Sequence, residues 1–249
     1  SVPQHAEYGT TLTRDDGAFE MAVNGGGALT LSYLKNGYLA AQRHMLTAWR
    51  AFAVYPDVAL LPQTDEVAAV ELGPVAAVVR GPKSTDASGG RQPWAIFAPN
   101  TSAQMVLPDG SKQPLTTMHL RMTEYTVGER GPAAMPGDLP PSSAYTYATE
   151  FAADEATAVG ATRVELDPPL VTYVDNFLKF PAGTVVPIGS YDRDRDVWQG
   201  ADSGLVLTIT AVEGGTAKVD TDGDGQADDS DKLSKLGVTS AELQALERR

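Results

Sequence analysis

Six of the twelve residues in the stretch DTDGDGQADDSD (220–231) are aspartate. Hard divalent cations need several oxygen ligands converging on one point, with a glycine where the backbone turns sharply. The spacing here meets that need. Asp220, Asp222 and Asp224 take loop positions 1, 3 and 5, and Gly225 takes position 6. Gln226 offers its backbone carbonyl at position 7, Asp228 fills position 9, directly or through a water, and Asp231 fills position 12. Calcium is the expected ion, because the small octahedral shell of magnesium suits fewer protein carboxylates. Without a cation, the crowded carboxylates would repel one another. The plainer alternative is a solvated acidic turn.

Two features bend the loop away from an EF-hand. Position 12 is aspartate, one methylene shorter than the usual glutamate, and the preceding GGTAKV (214–219) is strand-like rather than helical. The loop is closer to those of dockerins and thrombospondin type 3 repeats. The rest of the chain offers no catalytic constellation. With no cysteine, thiolate metal sites, cysteine nucleophiles and disulfides are excluded. The three histidines, His5, His44 and His119, have no triad context, so GADSG (200–204) reads as a loop rather than a nucleophile turn. His119 is expected at the surface or a sheet edge. NGGG (24–27) is a turn, since no helix comes after it to present phosphate-binding amides. YDRDRD (191–196) reads as a turn of alternating charge. Asn100-Thr101-Ser102 fits a glycosylation acceptor only in a eukaryotic secretory route. Tyr8, Trp49, Trp94 and Trp198 are expected as core or interface aromatics. A non-catalytic protein is therefore expected.

The elements around the loop read as short strands. A chain of 249 residues forms one large or two smaller domains, and 42% hydrophobic residues are enough for a core. The 24 glycines and 17 prolines favour turns over long helices. A net charge of −13 makes nucleic acid a poor partner and divalent cations a natural one. No apolar run reaches the ~18 residues of a membrane span. The chain opens at Ser1 with no visible signal peptide, as expected of a processed product or an excised piece.

EYGTTLT (7–13), AFEMAV (18–23) and ALTLSYL (28–34) are predicted strands, joined by the turns RDDG (14–17) and NGGG. Phe19, Met21 and Val23 point one way, as in a half-buried strand. YLAAQRHMLTAW (38–49) is ambiguous between strand and helix and is read as a fourth strand because its neighbours are strands. SAQMVL (102–107) and LTTMHLRMTEYTV (115–127) flank PDG (108–110) as a hairpin, with a slip near Thr117 read as a bulge. AYTYATEF (144–151) alternates like a strand, and Pro168-Pro169 must break TRVELDPPLVTYVDNF (162–177). RGPKSTDASGGR (80–91) is expected to be an exposed flexible loop. GERGPAAMPGDLPPSS (128–143) is a long loop whose prolines and glycines exclude helix or central strand, and such a loop is often functional or an insertion packed on a partner. LVLTITAV (205–212) and TAKVD (216–220) lead into the acidic stretch. VTSAELQALERR (238–249) is the one expected helix, with Thr239 and Glu242 as a capping box.

The N-terminal string EYGTTLTRDDGAFEMAVNGGGALTLSY resembles the transthyretin-like module of teneurins and their bacterial relatives, which is related to carboxypeptidase regulatory domains. The resemblance rests on Glu7-Tyr8-Gly9, the TRDDGAF turn and Asn24-Gly25-Gly26. Residues 93–151 and 173–198 are similar to the region after that module in bacterial YD-repeat (rearrangement-hotspot, Rhs) proteins, the fibronectin-like plug of teneurins. The implied fold is all-β: a transthyretin-like β-sandwich over 1–47, truncated at its start, a fibronectin-like plug sandwich over 48–213, and a calcium loop with a short helix over 214–249.

That family builds a hollow barrel of YD repeats closed at its base by the plug, and bacterial members often enclose a toxic C-terminal segment. The chain itself has no YD repeats, no propeller repeats and no toxin. The resemblance therefore implies a plug within a larger bacterial protein, secreted or at the cell surface. Its partners would be the YD-repeat shell and neighbouring domains, with calcium as cofactor. Because the resemblance begins mid-module, the first strand of the transthyretin-like module is expected to be absent or truncated, and the cysteines of the animal plug are missing. The alternative is a free-standing, calcium-stiffened extracellular module for adhesion or carbohydrate binding.

Overall fold

The computed structural model describes residues 1–24, 26–140 and 145–247. Short strands pair into several small antiparallel sheets, with a few short helices between them. The chain forms two units, each built from separate segments. The first comprises Ser1–Gln63, Tyr125–Ala148 and Gly189–Gly200, and the second Thr64–Glu124, Thr149–Ile188 and Ala201–Arg249.

In the first unit, β1 (Gly27–Tyr33) and β2 (Ala41–Thr47) form an antiparallel ladder from Gly27 opposite Thr47 to Tyr33 opposite Ala41. The two strands expected over 7–23 are not formed as ladders. Ala6–Tyr8 is a 3-10 turn, and the backbone from there to Val23 is irregular. The RDDG turn is present, closed by Gly17 N–H to Arg14 O at 2.9 Å and Arg14 N–H to Ala18 O at 2.8 Å. The period-two pattern also survives. Phe19, Met21 and Val23 pack half-buried against Val2, Leu29 and Leu31, while Ala18, Glu20 and Ala22 face outward. Alternation sets which side chains go inside, but a ladder also needs a partner strand. Gly25 of the NGGG turn lies outside the described residues.

The 128–143 loop differs from expectation in one way. Gly131–Ala134 forms a helical turn, α1, with proline in its first positions. There the missing N–H is no loss, since first-turn N–H groups have no intrahelical partner. The loop also packs inward: Met135 is buried with Leu39 and Tyr125. The buried Arg43 guanidinium donates to the carbonyls of Met135 at 3.0 Å and Ala133 at 2.7 Å. Residues 141–143 of this stretch, and Ala144 of the expected strand 144–151, lie outside the described residues.

The second unit holds three three-stranded sheets. β10 (Thr117–Glu124) lies between β3 (Ala68–Glu71) and β11 (Thr149–Ala153). β8 (Ser102–Val106) lies between β9 (Lys112–Leu115) and β12 (Arg163–Asp167). β7 (Pro93–Phe97) lies between β4 (Ala77–Arg80) and β13 (Val171–Val174), and all five of its residues are buried. Val79, Phe97, Met105, Leu115, Met118, Leu120 and Met122 form the centre of the core.

The slip near Thr117 is a change of sheet. β9 ends at Leu115 paired with β8, and β10 starts at Thr117 paired with β3. That step keeps Leu115 and Met118 in one core without alternation between them. The double proline separates β12 from β13, with a cis bond at Asp167–Pro168. The stretch 80–91, expected to be flexible, contains a hairpin of β5 (Ser84–Asp86) and β6 (Gly89–Arg91). It is anchored by Arg91, which is 1% exposed and bonds both Asp86 and Glu124. GADSG lies within the strand β15 (Val197–Leu205), which pairs with β14 (Val185–Asp192), rather than in a loop.

Candidate metal centre

β16 (Thr208–Glu213) and β17 (Thr216–Asp220) form the hairpin expected around the Glu213-Gly214-Gly215 turn. Asp220 is both the last residue of β17 and the first of the acidic loop. Its carboxylate is buried and organises the turn. Oδ1 accepts from the N–H groups of Gly223 at 2.7 Å and Asp222 at 3.1 Å, and Oδ2 accepts from Gly225 N–H at 2.9 Å. Burial alone would raise the Asp220 pKa, but these backbone donors outweigh it and hold the group below its usual range. The next two aspartates repeat the motif on a smaller scale. Asp222 Oδ1 accepts from Asp224 N–H at 3.2 Å, and Asp224 Oδ1 accepts from Gln226 N–H at 2.7 Å.

Gly223 and Gly225 have φ of 82° and 81°, a left-handed conformation that favours glycine. Gly223 also has no room for a side chain, since a Cβ there would meet Ala182 O at 2.8 Å. The loop thus lies backbone-to-backbone on the 181–184 turn. Asp220, Asp222 and Asp224 each bring one carboxylate oxygen within 4.8 Å of the others, close enough to hold a metal ion. Three hard anionic oxygens around one point suit a hard divalent cation.

The remaining predicted ligands are not among the three carboxylates that converge within the described residues. Asp228 Oδ2 accepts from Thr221 N–H at 2.7 Å and from Thr221 Oγ1 at 2.5 Å. Its Oδ1 pairs with Lys232 Nζ at 2.5 Å. Burial raises the Asp228 pKa, and the bonds from Lys232 and Thr221 more than offset that, leaving it lowered. Gln226 is exposed, and its N–H is the group that bonds Asp224. Asp231 is exposed in the first turn of α3 (Ser230–Lys235), and it is not among the carboxylates that converge within the described residues.

The helix α3 and the lysine it carries were not expected. Asp229 caps α3 by accepting from Lys232 N–H at 2.8 Å. The Asp229-Ser230-Asp231-Lys232 run has the aspartate cap and early acid of a helix start, which was the available signal. Leu233 of α3 packs with Val219 of β17 and Leu246 of α4 (Ser240–Leu246). α4 is the expected C-terminal helix, and its Thr239–Glu242 capping box is present. Residues 248–249 of the expected helix lie outside the described residues.

The three histidines each face a carboxylate, and the Thr30 hydroxyl also lies 3.4 Å from His44 Nδ1 and bonds Asp196. His5 Nδ1 lies 2.9 Å from Glu7, His44 Nδ1 lies 3.4 Å from Asp196, and His119 Nδ1 lies 2.5 Å from Glu155. His119 is exposed but sits on the central strand of its sheet, not an edge. The YDRDRD turn is more than alternating charge. Tyr191 donates to Gln42 Oε1 at 2.9 Å, and Arg193 donates to Ala40 O at 2.9 Å. Trp94 is buried in the core and Trp198 is half-buried, whereas Trp49 is exposed.

Residues 1–60 match the family described as the Teneurin TTR-like domain, so a domain of that class stands at the N-terminus. Curated proteins with similarity to the chain include teneurins. Teneurin-3 of Mus musculus is 29% identical over 89 residues, which is 34% of this chain and 3% of that protein. Teneurin-1 of Caenorhabditis elegans is 33% identical over 60 residues, 24% of this chain and 2% of that protein. Teneurin-1 of Gallus gallus is 30% identical over 60 residues, with the same coverage. The chain therefore spans only 2% to 3% of the length of these relatives. No solved structure matches the chain.

Proposed function

We propose that this chain is a non-catalytic structural part of a larger bacterial teneurin-like or Rhs protein, secreted or at the cell surface. In this reading the residues after the transthyretin-like domain form a fibronectin-like plug that closes the base of a YD-repeat barrel enclosing a toxin. The observation that carries it is the teneurin-type domain over 1–60, with a second β-rich unit in the same chain. An exposed apolar run in the first unit supports a seat against other protein: Leu46, Trp49, Phe52 and Val54 all face solvent, with Phe52 fully exposed. Co-expression with the YD-repeat region of the same parent protein tests it. The two pieces should co-purify, and Trp49→Ser with Phe52→Ser should weaken the complex. A parent protein without YD repeats, or a chain that stays a lone monomer beside them, refutes the plug and favours the free-standing adhesion module.

In the same reading the 220–231 loop is a calcium staple between the last strand and the terminal helices. Its support is the convergence of Asp220, Asp222 and Asp224. Bound ion stabilises by mass action, by about 2.7 kcal/mol at a hundredfold excess over Kd. Millimolar Ca²⁺ should therefore raise Tm relative to EDTA, and Asp222→Ala with Asp224→Ala should abolish the rise. Equal melting in EDTA and in Ca²⁺ would exclude the staple.

A further inference from the structure

The acidic loop already carries a cation of the protein's own. Lys232 Nζ pairs with Asp222 Oδ2 and, at 2.5 Å, with Asp228 Oδ1. Asp222 is one of the three converging carboxylates. Asp228 gives its other oxygen to the N–H and hydroxyl of Thr221, so Oδ1 is the atom it would turn toward a metal. A divalent ion binding at loop positions 3 and 9 thus needs the carboxylates that the lysine holds. Two positive centres on the same carboxylates repel, so ion and ammonium exclude each other. The lysine is able to leave. Its side chain is 37% exposed, and its flexible stem lets the charge swing into water without unwinding α3.

We propose that Lys232 is a built-in competitor for the cation site, a latch that neutralises the loop when no divalent ion is bound and is displaced when one binds. This rests on the calcium reading of the loop. The latch weakens ion affinity, so the staple closes only where the divalent cation is abundant.

The test is calcium titration by calorimetry on the full chain, with wild type, Lys232→Met and Lys232→Gln. Because the displaced pairs are part-exposed and of modest strength, both variants should bind Ca²⁺ roughly three- to tenfold more tightly. Both should also melt at lower temperature than wild type in EDTA. A second readout tracks the lysine directly. Acetylation of Lys232 by an amine-reactive ester, measured by mass spectrometry against Lys218 and Lys235, should be faster in Ca²⁺ than in EDTA. Variants that bind no tighter than wild type, or protection of Lys232 by Ca²⁺, would overturn the latch and leave the staple standing. Absence of binding in all three proteins would instead remove the calcium reading itself, and the latch with it. Binding by the variants alone would support the latch in its strongest form.

Discussion

Arg91 gives the sharpest stability test in the second unit. Its guanidinium is buried between two carboxylates, donating to Asp86 Oδ1 and Oδ2 at 2.9 and 2.8 Å and to Glu124 Oε1 at 2.7 Å. It also lies 4.6 Å from the centre of the Phe177 ring. Arg91→Met keeps the aliphatic stem but removes the positive charge that both acids face, and the Glu124 side chain is only 4% exposed. Breaking a buried pair from one side costs about 3–5 kcal/mol, because the surviving charge stays desolvated. For a unit of this size each kcal/mol moves Tm by about 2–4 °C, so a fall of roughly 6–20 °C is expected. Neutralising all three groups, as Arg91→Met with Asp86→Asn and Glu124→Gln, should recover much of the loss, since whole-pair replacement is often near neutral. Urea unfolding read by fluorescence would measure both, in a Trp49→Phe, Trp198→Phe background that leaves Trp94 of this unit as the single reporter. A loss under about 1 kcal/mol for Arg91→Met would show that the pairs are not a clamp. No recovery in the neutral combination would show that packing, not charge, was lost.

Other contacts lead to further expected outcomes. Gly137 lies flat against the Tyr191 ring with no space for a Cβ, so Gly137→Ala should destabilise the first unit by about 1–3 kcal/mol, read as a lower denaturation midpoint. Thr239→Ala removes one arm of the α4 capping box and should cost about 1 kcal/mol by the same measurement. Gly223→Ala places a Cβ against Ala182 O in a left-handed turn, and should weaken the Ca²⁺-dependent rise in Tm more than Gly110→Ala, whose site is open. Acid should destabilise the α2 (Asp154–Ala158) region. Asp154 is held below its usual pKa by hydrogen bonds from Arg121; burial raises Glu155, but bonds from His119 outweigh it and lower it. Depressed carboxylates contribute fully above the ordinary pKa of about 4 and lose that contribution as pH falls through their folded values. Stability should therefore be level down to about pH 5 and fall below pH 4, and Arg121→Met should blunt the fall.

Features carried by near neighbours were readable from the sequence. The acidic loop is one, since a turn at Gly225 and aspartates two residues apart bring Asp220, Asp222 and Asp224 together wherever the loop sits. The capping box of α4, the break at Pro168 and the hairpin around Gly214-Gly215 are others. The teneurin-type character of the first 60 residues also showed in short strings of turn residues. Less was readable where one residue must choose a distant partner. The run 80–91 looks like a loop because its polar and glycine residues carry no periodicity, yet Arg91 fixes it through Glu124, 33 residues on. Residues 7–23 look like strands, and their alternation does sort buried from exposed side chains, but they form no ladder. Lys232 was invisible as part of the site because nothing in a basic residue on a helix announces which carboxylates it will face.

By itself, then, the sequence determined the local chemistry: which oxygens could meet a cation, where the backbone turns, where the last helix starts, and which faces are apolar. These depend on covalent spacing and on φ, ψ preferences within a few residues. Only the tertiary structure decided which strands pair, how separate segments assemble each of the two units, and that a lysine ten residues beyond Asp222 occupies its carboxylate. Those outcomes depend on long-range burial and charge pairing, whose energies are set by what else is folded around them.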